Sequence, residues 1–167
     1  MSDEAGTERR IVPGWEGRFF EDFQVGDVYR HPHGRTISEA DNTWFALLTN
    51  NSHDIHFNAD YASRTEFGRP LVVSTLTLAI VTGLSVTDVS QNAVANLGWD
   101  SVKLTAPVFA GDTIYAESEV LEARPSRSRP GQGLIRVRTR GFNQRAETVI
   151  TYERSILVYT RAARPGT

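Results

Sequence analysis

The chain has 167 residues, 40% of them apolar and 23% charged, with a formal net charge of −2. That size and balance fit one globular domain with a core of its own, and the slight acidic excess argues against a nucleic-acid surface, which needs a strong basic bias. The absence of cysteine excludes disulfides, zinc–thiolate centres and cysteine nucleophiles.

Taken in chain order, residues 1–10 are polar and mixed in charge and lack the apolar run of a secretory signal. A cytoplasmic location is the expectation, and Asn50-Asn51-Ser52 then carries no glycan. Residues 1–14 read as a frayed tail, 15–161 as a single domain and 162–167 as a second tail. Trp15, Phe19, Phe20, Phe23 and Tyr29 read as core or interface aromatics. Residues 28–37 are strand-like, with His31-Pro32-His33 read as a solvated strand end.

Residues 38–48 predict a helix. Ser38 can cap its first turn, Glu39 and Asp41 suit the positive end of its dipole, and Trp44, Phe45, Leu47 and Leu48 give it an apolar stripe. Asn50-Asn51-Ser52 reads as its stop. The apolar-rich stretch 71–84 carries Ser74, Thr75, Thr77 and Thr82 and is too short to span a bilayer, so no membrane partner is expected. Residues 72–84 are apolar on all sides, which predicts a buried helix, with Pro70 before its start and Gly83 near its end. A buried strand is the alternative, because the run holds several β-branched residues.

Strand patterns follow at residues 102–108, 113–121, 134–139 and 148–159. Within 113–121, Ile114, Ala116, Ser118 and Val120 alternate with Tyr115, Glu117 and Glu119. Residues 125–133, rich in Ser, Arg, Pro and Gly, read as a long hairpin connection. With no helix between these strands, antiparallel pairing is expected, giving an α+β fold in which a curved sheet wraps a central helix.

Several separate segments carry a resemblance. Residues 45–62 read FALLTNNSHDIHFNADYA, similar to a helix-to-loop signature of the form S/T-G-D-x-N-P-x-H-x-D. FFEDFQVGDVY at 19–29, TEFGRPLVVSTLTLAIVTGL at 65–84 and LTAPVFAGDTIYAESEVLEAR at 104–124 extend the likeness over nearly the whole chain. Together they resemble the MaoC-like dehydratases and (R)-specific enoyl-CoA hydratases. That resemblance implies a hot-dog fold and a hydro-lyase acting on an acyl-CoA thioester without a cofactor. It also implies at least a homodimer.

Carried over by position, His56 falls on the family's catalytic His and Asn51 on its catalytic Asp. Asn58 falls on the Asp two residues past the His, and Asp54 on the motif Pro. Ser74 falls on the Gly whose backbone N–H holds the thioester oxygen, and Thr82 on a helix Ser that supports the site. Asn51, Asp54 and Asn58 depart from the common pattern. A branch resembling itaconyl-CoA and mesaconyl-type hydratases has Asn at the Asp position within F-x-L-L-T-x-N-x-x-x-x-H-F. The departure at Asn51 then reads as subgroup character, with a short, branched or dicarboxylic acyl chain as substrate.

Hydration of an enoyl thioester needs a base for water, an acid for Cα and a donor for the enolate oxygen. An imidazole near its ordinary pKa of about 6.5 serves the first two. A helix-start N–H near Ser74 serves the third. Asn51 does not titrate, so its expected role is to orient water or substrate. His53 and Asp54 are secondary candidates, and the His53/His56 pair with Asp54 beside it is weak as a metal site because no further ligand is placed by spacing. Arg136, Arg138 and Arg140 share a strand face that reads as solvated, with docking of CoA phosphates as the alternative. The competing functions are a hot-dog acyl-CoA thioesterase, disfavoured because residues 72–84 hold no acid, and a non-catalytic acyl-thioester-binding subunit of a heteromeric dehydratase.

Overall fold

The computed structural model describes residues 10–165; the rest of the two expected tails, residues 1–9 and 166–167, lies outside the described residues. The elements are β1 (Val28–Arg30), β2 (Arg35–Thr36), α1 (Glu39–Leu48), α2 (Ala59–Ser63), α3 (Ser74–Leu84), β3 (Ala93–Leu104), β4 (Thr113–Pro125), β5 (Gln132–Asn143) and β6 (Thr148–Tyr159). Every strand pairing is antiparallel, in the order β1-β4-β5-β6-β3, with β2 also on β4. The sheet curves around α3, which is the hot-dog arrangement.

The alternation along β4 decides which face turns inward. Ile114, Ala116, Ser118 and Val120 are buried, and β5 matches them with Gly141, Thr139 and Val137 opposite the last three. Gly141 is where the helix comes closest. A Cβ there would stand 2.6 Å from Val81 Cγ2 and 2.8 Å from Ile150 Cγ2, so only glycine lets α3 settle onto the sheet.

Two apolar clusters fill the concave side. One gathers Ile37, Ala46, Val72, Val73, Leu76 and Val81 around α3 against Ile114, Ala116, Ile150 and Tyr152. The other joins Phe23 and Val89 to Val120, Ile135, Val137, Ile156 and Val158. Between them in the strand register runs a polar layer. His31 Nδ1 lies 2.9 Å from Asp88 Oδ2, its Nε2 lies 3.0 Å from Ser118 Oγ, and Ser118 Oγ lies 2.9 Å from Thr139 Oγ1. Arg154 reaches under the C-terminal end of α3, donating to Ser85 Oγ at 3.0 Å, where a cation suits the negative end of the helix dipole.

Four sequence expectations change. The strand expected at 102–108 occupies Ala93–Leu104 instead; it is an edge strand with three register shifts, so its alternation is broken. The helix expected from 72 starts at Ser74, and the segment before it is extended. Its apolar surroundings are one-sided: Leu76, Thr77 and Val81 are buried, whereas Ser74, Thr75, Ala79 and Gly83 are exposed, because one sheet covers one side of a helix. His31 is a buried network member rather than a solvated strand end. In addition, Arg161–Ala163, across the expected start of the C-terminal tail, form a 3-10 turn tied by Arg161 to Glu21 and Asp22.

Candidate active site

The His56 loop is fixed at both ends by local chemistry. Ser38 and Asp41 form a reciprocal cap at the start of α1, with Asp41 N–H donating to Ser38 Oγ and Ser38 N–H to Asp41 Oδ2. At its end Asn50 adopts φ 54°, and the N–H groups of Asn51 and Asn50 donate to the Ala46 and Leu47 carbonyls. This left-handed stop is a role asparagine fills better than most residues. The chain then leaves through an Asn51 turn, in which Oδ1 accepts the His53 N–H at 3.1 Å, and a 3-10 turn at Asp54–His56. Asn58 caps α2 by accepting the Tyr61 N–H.

His56 is half-buried, and its Nδ1 lies 2.8 Å from the Leu71 carbonyl oxygen. A carbonyl only accepts, so Nδ1 carries the proton and Nε2 presents the basic lone pair of the neutral ring. Leu71 is also joined to this loop through its own N–H, which donates to the Ile55 carbonyl. Three residues later α3 begins. The N–H groups of Ser74 and Thr75 have no acceptor among the described residues. They leave two open donors at the positive end of the helix.

Beside this helix start lies a cavity of about 300 Å³, lined by Phe67, Leu71, Ser74, Thr77, Ala106 and Pro107 among others. The walls are mostly apolar with a few polar groups, as a thioester tail requires. His56 does not line it directly; it meets the wall through Leu71.

The other expected residues separate into groups. Asn51 and His53 lie on the same loop, and the His53 ring stands edge-on to His56 at 5.9 Å between centroids. Asn51 spends an oxygen lone pair on the His53 N–H, while its NH₂ has no protein partner among the described residues. Asp54 contributes its carbonyl to Phe57 and Asn58 N–H and holds the turn. Thr82 lies about two turns beyond Ser74 and meets the Tyr152 hydroxyl at 3.1 Å, so a single chain does not bring it to the helix start. Arg136, Arg138 and Arg140 face away from α3. They pair with Glu153, Glu119 and Glu117, which commits the guanidiniums to carboxylates on the outer face. Among the described residues no three His, Cys, Asp or Glu side chains are grouped to hold a metal.

Sequence reasoning missed two arrangements. One is Asn42, 3% exposed, which donates to the His56 and Leu71 carbonyls and accepts the Val73 N–H. It stands four residues before the buried Ala46 on the same helix face, and an amide on a buried stripe signals polar partners. The other is Asp88–His31–Ser118, which has the connectivity of a hydrolase triad. Ser118 is 0% exposed, so no substrate reaches its hydroxyl, and the array is structural. Burial holds the His31 pKa below its ordinary value despite the neighbouring carboxylate, so at neutral pH the contact is a neutral imidazole N–H donating to Asp88. Burial also works to raise the Asp88 pKa, but the bonds from His31 and Arg18 outweigh it and leave it lowered.

The chain can now be set beside known proteins. It is 36% identical to the mesaconyl-CoA hydratase of Cereibacter sphaeroides over 145 residues, which are 87% of this chain and 42% of that relative. The crystal structure of a MaoC domain protein from Chloroflexus aurantiacus superposes with a TM-score of 0.85 at 32% identity, over 94% of this chain and 45% of that one. A Mycobacterium tuberculosis protein with a double hotdog fold superposes at 0.80 with 23% identity, over 90% of this chain and 47% of the other, a likeness of fold alone. This chain thus spans a little under half the length of each of these proteins. A family model described as mesaconyl-CoA hydratase matches residues 8–165, from before the first described residue to beyond the last strand. With a hot-dog sheet, a His-bearing loop after α1 and open amides at the start of α3 in one chain, that match establishes membership: the chain belongs to the mesaconyl-CoA hydratase family.

Proposed function

We propose that the chain is a hydro-lyase domain that adds water to, or removes it from, the α,β double bond of a short branched or dicarboxylic acyl-CoA of the mesaconyl type. The observation that carries this reading is the His56 ring, held by Nδ1 to a carbonyl three residues before two helix-start N–H groups that have no acceptor among the described residues. Its Nε2 takes a proton from water as the oxygen bonds to Cβ, and electrons move onto the thioester oxygen. The Ser74 and Thr75 N–H groups donate to that oxygen as charge builds. The same imidazolium then returns a proton to Cα, and the sum is one water added. Asn51, its oxygen already engaged by His53, offers its NH₂ to the water or to a substrate oxygen.

The open face of α3 supports pairing with a second hot-dog unit, as a homodimer or as a second domain of a longer polypeptide. Among the described residues no helix is long and apolar enough to cross a membrane, and we place the reaction in the cytoplasm. The α3 sequence has no acidic side chain to activate water against a thioester carbonyl, which favours hydration over thioester cleavage. The test is a panel of enoyl-CoA and 3-hydroxyacyl-CoA esters, including mesaconyl- and itaconyl-type compounds, given to wild type and His56→Ala. Change of enoyl absorbance without thiol release, lost in His56→Ala, is expected. Thiol release with the double bond intact overturns the reading in favour of a thioesterase. Binding without turnover across the panel overturns it in favour of a non-catalytic subunit.

A further inference from the structure

We infer that Asn42 is the positioning residue that sets His56 against the start of α3. The inference rests on the hydro-lyase reading for its catalytic consequence but not for its geometry. Asn42 projects from the buried side of α1, and its amide makes three bonds to three separate backbone groups. Nδ2 donates to the His56 carbonyl at 2.7 Å and to the Leu71 carbonyl at 3.0 Å, and Oδ1 accepts from the Val73 N–H at 2.9 Å.

Its orientation is fixed by those partners. Turned over, the amide would point its oxygen at two carbonyls and its NH₂ at an N–H, losing every bond.

Each bond holds a different part of the reacting frame. The first anchors the backbone that carries the imidazole. The second holds the carbonyl to which that imidazole donates, so both lone pairs of the Leu71 oxygen are used and both ends of the ring's tether meet one side chain. The third occupies the Val73 N–H, so the first open donors of α3 are those of Ser74 and Thr75. Base and oxyanion donors thus share one rigid amide rather than being positioned by two independent loops. Asparagine is a poor residue for a helix interior because it competes with the backbone. Its place on this buried stripe is accounted for by the three bonds it makes outside the helix.

The test compares wild type with Asn42→Ala and Asn42→Asp by turnover of a mesaconyl-type ester and by long-range proton–nitrogen spectra of protein labelled in its histidine rings. His56→Ala identifies the His56 signals. Wild-type His56 is expected as the Nδ1–H tautomer, with the Asn42 NH₂ protons slow to exchange. The variants are expected to show a mixture of tautomers and a kcat lower by about 100-fold, the scale of a misplaced reacting group, with KM little changed. A merely structural asparagine would lower the melting temperature and leave tautomer and kcat as they were, which overturns the inference. If neither variant folds, wild type alone decides: Nε2–H at His56 or rapid exchange of the Asn42 amide refutes it. If wild type turns over no ester, the hydro-lyase reading fails while the tautomer comparison still judges Asn42.

Discussion

Replacing Ser74 by proline removes a backbone donor without removing the helix. Ser74 is the first residue of α3, and its N–H has no acceptor to lose among the described residues. Proline is well tolerated at that position of a helix. The residue before it must be extended, and Val73 already sits at φ −58°, ψ 127°. The folded state should therefore change by less than about 1 kcal/mol, with the stiffer unfolded chain acting in its favour. Catalysis should respond differently. One oxyanion donor is worth about 2.7–4 kcal/mol, or roughly 10²–10³ in kcat, and the proline ring adds bulk where the oxygen would lie. Ser74→Ala, which keeps the N–H and loses only an exposed hydroxyl, should lose far less than Ser74→Pro. The assay is kcat and KM on a mesaconyl-type ester by enoyl absorbance, alongside a thermal melt of each variant at matched concentration. A Ser74→Pro protein that melts normally and keeps wild-type kcat refutes the oxyanion role of this amide. An alanine variant as inactive as the proline one refutes it too, by moving the effect to the hydroxyl.

The remaining expectations test the loop, the packing and the polar layer. His56→Ala should abolish hydration and Asn51→Ala should reduce it much less; equal and complete loss in both would contradict a non-titrating role for Asn51. Gly141→Ala brings a Cβ to 2.6 Å from Val81 Cγ2, where neither Val81 nor Ile150 has room to yield. Overpacking of this kind costs about 1–3 kcal/mol, offset in part by the roughly 0.5–1 kcal/mol that alanine gains over glycine in a strand. Denaturant melts should show Gly141→Ala less stable than wild type, and adding Val81→Ala should give a non-additive cycle; simple additivity would deny the contact. For pH, His31 is neutral in the fold because burial lowers its pKa from 6.5. Above that value both folded and unfolded chains hold it neutral, and its stabilising contribution is complete. As pH falls below 6.5 the unfolded chain takes up a proton that the fold refuses, and stability declines by at most about 1.4 kcal/mol per pH unit. Asp88, lowered from 3.8, adds a further loss below that pH. Melts from pH 7.5 to 5 should show this decline in wild type and a flatter course in His31→Gln; stability that rises on acidification would reverse the sign and reject the burial argument.

Much of the fold was legible because short-range chemistry states it. Ser38 and Asp41 announce the start of α1, and the alternation from Ile114 to Val120 identifies the inward face of β4. The last strand was read at its observed limits, Thr148–Tyr159, because it is long, β-branched and central. β3 was misread because it is an edge strand with one partner and three register shifts, and Asn96, Gly98 and Asp100 erase its period. The one-sided exposure of α3 was not legible, since an all-round apolar pattern does not say how many layers cover it. In the candidate site, the His56 loop stands out in the sequence through its motif. Asn42 and the His31 network depend on partners up to 87 residues away, a distance at which local pattern is silent.

The polar row between the two apolar clusters bears on how the sheet finds its alignment as it forms. Sliding β5 along β4 by two residues would keep every side chain on its own face, so the hydrophobic alternation alone does not forbid the error. The pairing of Ser118 with Thr139 does. After such a slip Thr139 would face Ala116 or Val120, and its hydroxyl, which bonds Ser118 in the native pairing, would be stranded in a dry interior at a cost of roughly 1–3 kcal/mol. Ser118 stays in place on β4 and keeps its contact with His31 Nε2, so the penalty of the slip falls on Thr139. The hydroxyl pair therefore works as a molecular proofreader for strand pairing, admitting the native alignment and penalising its nearest face-preserving competitors.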